Sequence, residues 1–151
     1  MKINSQGLDL IKRWEGFEMH AYLCPAGVPT IGYGATYYPN NRNSVKLSDR
    51  PISESYASLL LEDMVKHYES GVNRYVSVEL TSNQFSALVS FAYNVGLGAL
   101  KSSTLLKRVN ANPNDEDIER QFMRWNKGGG RVLKGLTNRR RSEVELYNSP
   151  L

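Results

Sequence analysis

Residues 14–34 read WEGFEMHAYLCPAGVPTIGYG and mark the change from a helical sequence pattern to short strands and turns. Just upstream, Leu8, Ile11 and Glu15 are spaced i, i+3, i+7, so they share one face of a helix. An acid that continues an apolar stripe is either a solvated residue of the last turn or a carboxyl group in a partly desolvated site. Desolvation raises the pKa of a carboxyl group, which suits a general acid. Spacing alone leaves both interpretations of Glu15 open.

Capping residues, prolines and glycines predict the elements around this stretch. We expect a first helix that Ser5 caps and Gly16 ends. The next segment loses the helical period, and it predicts a turn at residues 25–27 and an extended stretch over residues 28–33. Residues 39–49 are rich in asparagine and predict an exposed loop.

The rest of the chain has a helical pattern. Ser53 caps a long helix that runs to about Tyr75. A capping box from Thr81 to Gln84 opens a strongly apolar helix that Gly96 ends. Three further helices are predicted: residues 103–112, a helix that Asn114 caps, and a last helix from about Thr137 to about Tyr147.

This order of elements predicts an α+β, mostly helical fold within a single catalytic domain that spans residues 1–151. We expect a small β-rich lobe at about residues 17–55 and a larger helical lobe at about residues 75–151, to which the N-terminal helix belongs. A bridging helix at about residues 53–75 would join the lobes. The β segment is too short to fold alone. A cleft between the lobes would then have Glu15 at the junction.

Composition excludes several classes of protein. The chain is 40% hydrophobic and 23% charged, as expected for a soluble globular protein, and no apolar run approaches the length of a membrane span. Residues 1–6 contain no apolar signal core, so we expect neither a signal peptide nor a membrane anchor. Cys24 is the only cysteine, which rules out an internal disulfide. His20 and His67 are far apart and lack cysteine partners, so we expect no metal site and no cofactor.

The net charge of +4 is concentrated in the C-terminal third. Residues 1–100 hold 8 Lys/Arg and 9 Asp/Glu, whereas residues 101–151 hold 11 and 6. Such a bias either solubilises helices or attracts a polyanion, namely nucleic acid or an acidic envelope polymer. On a helix, Arg139, Arg140 and Arg141 spread over about 200° of arc, so they do not form one stripe. We therefore favour a solvated or wall-attracted face over nucleic-acid binding.

Three ordered blocks of sequence carry a family resemblance. They are Glu15-Gly16 with Ala21-Tyr22 and Thr30-Ile31-Gly32-Tyr33-Gly34; Gln84-Phe85 through Asn94-Val95-Gly96; and Trp125, Gly129-Gly130, Gly135-Leu136, Arg139-Arg140 and Glu143. Together they resemble the phage-type lysozymes, the endolysin group that contains the T-even phage lysozyme, over nearly the whole chain. The resemblance implies a lysozyme-like fold. It also implies hydrolysis of the β-1,4 bond between N-acetylmuramic acid and N-acetylglucosamine in peptidoglycan, for host cell lysis.

The resemblance also implies site residues. Glu15 falls on the family's proton donor, Thr30 on its third catalytic residue, and Cys24 on a position that many members fill with Asp and some with Cys. Glycosidic cleavage needs an acid and a second group that activates water or stabilises the oxocarbenium-like state. The Thr30 hydroxyl can hold a water or the sugar. A thiol is mostly uncharged at neutral pH unless its surroundings lower its pKa. Cys24 is therefore an activated participant, a bystander, or a small buried hydrophobe.

Substrate contacts are a further implication of the resemblance. Tyr93, Thr104 and Asn138 fall near positions that contact substrate in the family. Tyr33 and Tyr93 are aromatic and could stack on sugar faces, although core positions explain both equally well. One departure is Ala35, because many members carry His after the glycine that corresponds to Gly34.

Two alternative functions remain. A lytic transglycosylase works with one Glu and releases a 1,6-anhydro product, and the cysteine at position 24 favours that alternative. A non-catalytic wall-binding module is the other. For an endolysin we expect peptidoglycan as the partner, no nucleic acid and a monomer. Such a protein would stay in the host cytoplasm until a separate pore-forming holin opens the way to the cell wall.

Overall fold

A computed structural model describes residues 1–150 of the chain. The helices and strands in this range are, in chain order, α1 Ser5–Glu15, β1 Glu18–Leu23, β2 Pro29–Gly32, α2 Glu54–Tyr75, α3 Ser82–Val95, α4 Leu97–Ser102, α5 Thr104–Ala111, α6 Asp117–Met123, β3 Lys127–Gly128, β4 Arg131–Val132 and α7 Lys134–Asn148. The prediction of an α+β, mostly helical fold is confirmed. None of the helices in residues 1–150 combines the length and the apolarity that crossing a membrane requires.

The chain divides into two compact units. One unit is residues 11–67, and the other contains residues 1–10 together with the chain from residue 68 onward. Helices α1 and α2 each contribute residues to both units.

The unit of residues 11–67 contains an antiparallel sheet of β1 and β2. The strands pair Glu18 with Gly32 and Tyr22 with Thr30, with a bulge in between. The turn that joins them is closed by two hydrogen bonds: the Gly27 N–H donates to the Cys24 carbonyl at 2.8 Å, and the Cys24 N–H donates to the Val28 carbonyl at 3.1 Å. The predicted turn at residues 25–27 is confirmed. The most deeply buried apolar side chains of this unit are Ile11, Ile31, Ala35, Ala57, Leu61 and Val65.

Helix α3 is the buried centre of the other unit. Its predicted capping box is confirmed: the Gln84 N–H donates to the Thr81 hydroxyl at 3.0 Å, and the Thr81 N–H donates to the Gln84 side chain at 2.9 Å. All residues from 83 to 92 are buried. The Phe91 ring packs edge-on against the rings of Phe122 and Trp125, both at 5.6 Å between centroids.

Several predicted helix starts are wrong. Asn4, not Ser5, caps α1, because the Asn4 side chain accepts the Gly7 N–H at 2.9 Å. Helix α6 begins at Asp117, not after Asn114. Helix α7 begins at Lys134, three residues before the predicted Thr137.

Sequence patterns also missed two short elements near these ends. Helix α4 has only six residues, too few to establish a helical period. The β3–β4 hairpin turns through Gly129 and Gly130, whose φ angles of 60° and 80° suit the tight turn of a two-residue hairpin.

The arginine run of α7 is not a solvated face. Arg139 is 3% exposed and Arg140 is fully buried, whereas Arg141 is exposed. Successive helical residues are about 100° apart, so a run of three spans about 200° of arc and its members can point both to the core and to solvent. Buried Glu143 lies 2.9 Å from the Arg140 Nε and 3.3 Å from the Arg139 Nε. These two guanidinium groups are therefore part of a buried ionic cluster.

Candidate active site

Glu15 is fixed at the end of a helix. It is the last residue of α1, and its side chain is half-buried. Gly16 follows with φ +73°, a left-handed conformation that glycine adopts without strain, and its N–H donates to the Lys12 carbonyl at 3.0 Å. The predicted end of the first helix is confirmed. Because β1 begins three residues after Glu15, the carboxyl group lies close in sequence to the strand that leads to Cys24.

Cys24 and Thr30 meet at the β1–β2 turn. Thr30 is 4% exposed, and its hydroxyl donates to the Val28 carbonyl at 2.9 Å. The pKa of the Cys24 thiol is lowered, chiefly because the Val28 N–H hydrogen-bonds the sulfur, with smaller contributions from the Ala26 N–H and the Thr30 hydroxyl. The lowered pKa increases the thiolate fraction at neutral pH. Cys24 is half-buried at a turn, so it is not a small hydrophobe of the core.

The Tyr22 phenol interacts electrostatically with both Glu15 and Cys24. Burial is the main reason why the pKa of the Tyr22 phenol is raised, and the negative charges of Glu18, Glu15 and Cys24 raise it further. The Glu15 carboxyl and the Cys24 thiol therefore both lie within electrostatic range of one phenol. Sequence spacing did not indicate Tyr22, because its place beside the site depends on its pairing with Thr30 across the β1–β2 ladder.

Tyr33 is a core residue of this unit. It is 5% exposed, its hydroxyl donates to the Glu54 carboxylate at 3.1 Å, and its ring lies 5.8 Å from that of Phe17. Burial and the Glu54 carboxylate raise the pKa of the Tyr33 phenol. Of the two interpretations of Tyr33, the structure favours packing over sugar stacking.

The other substrate-contact candidates belong to the second unit, which contains residues 1–10 and the chain from residue 68 onward. Tyr93 is half-buried and packs edge-on against Tyr68, at 5.1 Å between ring centroids. Asn138 is half-buried, and its carbonyl accepts the Ser142 hydroxyl at 3.2 Å. Thr104 lines a cavity of about 300 Å³; the other residues that line it are Ser102, Ser103, Gln121, Arg124 and Trp125.

A larger cavity in the second unit was not predicted. It has a volume of about 470 Å³ and is lined by Asn94, Val95, Arg124, Trp125, Lys127 and Leu136. The cationic side chains of Arg124 and Lys127 and the indole of Trp125 make it suitable for an anionic group next to an apolar surface. Among residues 1–150, no group of three or more His, Cys, Asp or Glu side chains is arranged to hold a metal ion.

The chain is similar to known proteins over most of its length. The family model described as "Phage lysozyme" matches residues 12–143. The endolysin of Bacillus phage B103 is 45% identical over 152 residues, which cover 97% of this chain and 54% of the relative. The endolysin of Salmonella phage P22 is 36% identical and is covered over 99% of both chains.

The similarity extends to solved structures. The structure of an endolysin from Escherichia coli O157:H7 phage FAHEc1 matches with a TM-score of 0.89 at 38% identity, covering 98% of this chain and 94% of that one. The chain spans about half the length of the Bacillus phage endolysins that it matches.

Proposed function

The chain belongs to the phage lysozyme family and has its fold, and from this premise we propose that it is an endolysin that cleaves peptidoglycan. The bond cleaved is the β-1,4 bond between N-acetylmuramic acid and N-acetylglucosamine. The observation that carries the proposal is the contact between the Cys24 sulfur and the Thr30 hydroxyl at the β1–β2 turn. The phenol of Tyr22, which pairs with Thr30, lies close enough to Glu15 and Cys24 for their charges to raise its pKa. This hydrolysis requires an acid that protonates the leaving oxygen and a second group that activates water or stabilises the charge at C1, and we assign these roles to Glu15 and Cys24.

In this proposal Glu15 is the general acid. Its half-buried carboxyl protonates the glycosidic oxygen as the bond to C1 of the muramic acid breaks. Thr30 holds a water or the sugar through its hydroxyl oxygen, which can accept a hydrogen bond while the hydroxyl donates to the Val28 carbonyl or to the Cys24 sulfur. Cys24, as a thiolate, takes the role that a carboxylate has in other family members: it stabilises the positive charge that develops at C1, or it activates the water.

Substitution of Glu15 tests the proposal most directly. Glu15→Gln should reduce the rate of muropeptide release from purified peptidoglycan by about 10²-fold or more, the usual contribution of a general acid. Glu62→Gln, at an exposed position of α2, is the matched control and should keep the wild-type rate. Retention of more than a few per cent of the rate by Glu15→Gln, with an unchanged circular dichroism spectrum, would remove Glu15 from the mechanism.

Cys24 is tested by two substitutions. Cys24→Asp restores the carboxylate and should keep substantial activity, whereas Cys24→Ser removes the acidic group and should lose about 10²-fold or more. Full turnover by Cys24→Ser would make Cys24 a bystander.

Product analysis separates the proposed function from its alternatives. The first alternative is a lytic transglycosylase, and the observation in its support is the thiol in place of a carboxylate at residue 24. Mass spectrometry of the digest gives a reducing muramic acid end for a hydrolase and a product lighter by one water for a transglycosylase. A wall-binding module would sediment with peptidoglycan and release neither product.

At the level of the cell, we propose that the protein acts as a monomer on the wall after a holin has opened the host membrane. Arg139 and Arg140 are buried and so do not offer a surface to nucleic acid, whereas the net charge of +4 suits an acidic wall. Added protein should clear chloroform-treated cells and leave intact cells turbid. Thr104 and its cavity are the proposed sugar contacts of the second unit, together with Tyr93 and Asn138.

A further inference from the structure

Tyr22 occupies a central position on the sheet face that carries the site. It pairs directly with Thr30 across the β1–β2 ladder, and Cys24 follows two residues later. Directly paired residues share a face, so Tyr22 and Thr30 do, and the Thr30 hydroxyl hydrogen-bonds the Cys24 sulfur just beyond the end of β1. Tyr22 and Cys24 are both half-buried, whereas Leu23, between them, is 55% exposed. A phenol, a thiol and a hydroxyl therefore converge on one side of the hairpin.

We propose that the Tyr22 hydroxyl holds the attacking water against Thr30 and Cys24, and so directs the reaction toward hydrolysis rather than internal capture of the sugar. This inference rests on the proposed function. In it, Tyr22 is a water-positioning residue that acts beside Glu15, Cys24 and Thr30.

The hydrogen-bonding capacity of the three groups fits one water. The Thr30 hydroxyl donates its one proton to the Val28 carbonyl or to the Cys24 sulfur, and in either orientation its oxygen can accept a hydrogen bond from a water. Cys24 only accepts when it is ionised, and its lowered pKa favours that form. The Tyr22 phenol stays protonated at neutral pH, because burial and the charges of Glu18, Glu15 and Cys24 all oppose its ionisation, so it can donate. A water that gives its two protons to Thr30 and Cys24 and accepts one from Tyr22 keeps a single lone pair free.

That lone pair is the nucleophile. The water oxygen forms a bond to C1 of the muramic acid while the bond from C1 to the glycosidic oxygen breaks, and the leaving oxygen takes the Glu15 proton. The proton released by the water passes to the Cys24 thiolate. Solvent then returns the proton from Cys24 to Glu15, which restores both groups. Without a held water, the 6-hydroxyl of the same muramic acid competes for C1 and yields the 1,6-anhydro product.

Tyr22→Phe tests this role because it removes the hydroxyl and keeps the ring. We expect kcat to fall about tenfold with little change in KM, as for the loss of one hydrogen bond made in the transition state. The share of 1,6-anhydro product should rise relative to the reducing product. Tyr37→Phe, at a tyrosine that is 38% exposed in the same unit, is the control and should change neither quantity.

The ratio of products is a property of the active molecules alone, so partial misfolding of the variant does not affect it. An unchanged ratio, whether kcat falls or not, would overturn the water-positioning role. If the wild-type protein releases no reducing product from peptidoglycan, the proposed function itself fails, and that result is distinct from a failure of Tyr22→Phe alone.

Discussion

Glu143 is the buried acid on which the ionic cluster of the second unit depends. Its side chain is fully buried and lies 2.9 Å from the Arg140 Nε and 3.3 Å from the Arg139 Nε. The Ser90 hydroxyl donates to the same carboxylate at 2.7 Å. Burial raises the pKa of Glu143, and the two guanidinium charges and the Ser90 hydrogen bond act in the opposite direction. Glu143→Gln removes the charge and keeps the size of the side chain.

The expected cost of this substitution follows from what it leaves behind. Arg140 is fully buried, and burial already lowers the pKa of its guanidinium group. Breaking a buried ion pair by removing one partner typically costs about 3–5 kcal/mol, because the remaining charge stays desolvated. For a chain of this size that corresponds to a fall in Tm of about 6–20 °C.

Urea denaturation followed by circular dichroism measures this effect. The free energy of unfolding of Glu143→Gln should fall by the stated amount, whereas Glu145→Gln, at an exposed position of the same helix, should stay within about 0.5 kcal/mol of wild type. A triple variant, Arg139→Met with Arg140→Met and Glu143→Leu, replaces the whole cluster of buried charges by apolar side chains of similar volume and should recover much of the loss. A loss below about 1 kcal/mol for Glu143→Gln would refute the argument that desolvation of Arg140 determines the cost.

Three further predictions follow from local geometry. The rate of Cys24 alkylation by iodoacetamide should rise with pH through a midpoint below the pKa of about 8.5 for free cysteine, because hydrogen bonds to the sulfur stabilise the thiolate. Thr30→Val removes one of these hydrogen bonds and should raise the midpoint. A wild-type midpoint at or above the pKa of free cysteine would contradict the hydrogen bonds to the sulfur. Thr81→Ala should lower the free energy of unfolding by about 1 kcal/mol through loss of the α3 cap, and Thr81→Ser should preserve it. The pKa of Asp117 is lowered, first by the Arg120 hydrogen bond, so its stabilisation is present above the unfolded pKa of about 3.9 and is lost as the pH falls through the folded pKa. Urea midpoints at pH 7 and pH 3 should therefore differ less in Asp117→Asn than in wild type, and an equal difference would count against the ion pair.

The sequence alone predicted the features that depend on near neighbours. Gly16 ends α1, the capping box from Thr81 to Gln84 opens α3, and the turn at residues 25–27 joins two strands. Each is closed by backbone or side-chain hydrogen bonds between residues three or four positions apart, so the local residue types suffice to specify it. The order of the motifs also identified the family, because a motif is itself a local pattern.

Which polar side chains are buried, and with which groups they interact, became known from the folded structure. The run Arg139-Arg140-Arg141 has the composition of a solvated face, yet Glu143 holds two of its members in the core, and the Ser90 that completes the cluster is 53 residues from Glu143 along the chain. The same limit applies to the site: sequence motifs indicated Glu15, Cys24 and Thr30 as separate positions, and only the strand pairing placed Tyr22 beside Thr30. Burial and electrostatic environment depend on elements that are distant in sequence, and a local pattern carries no information about them.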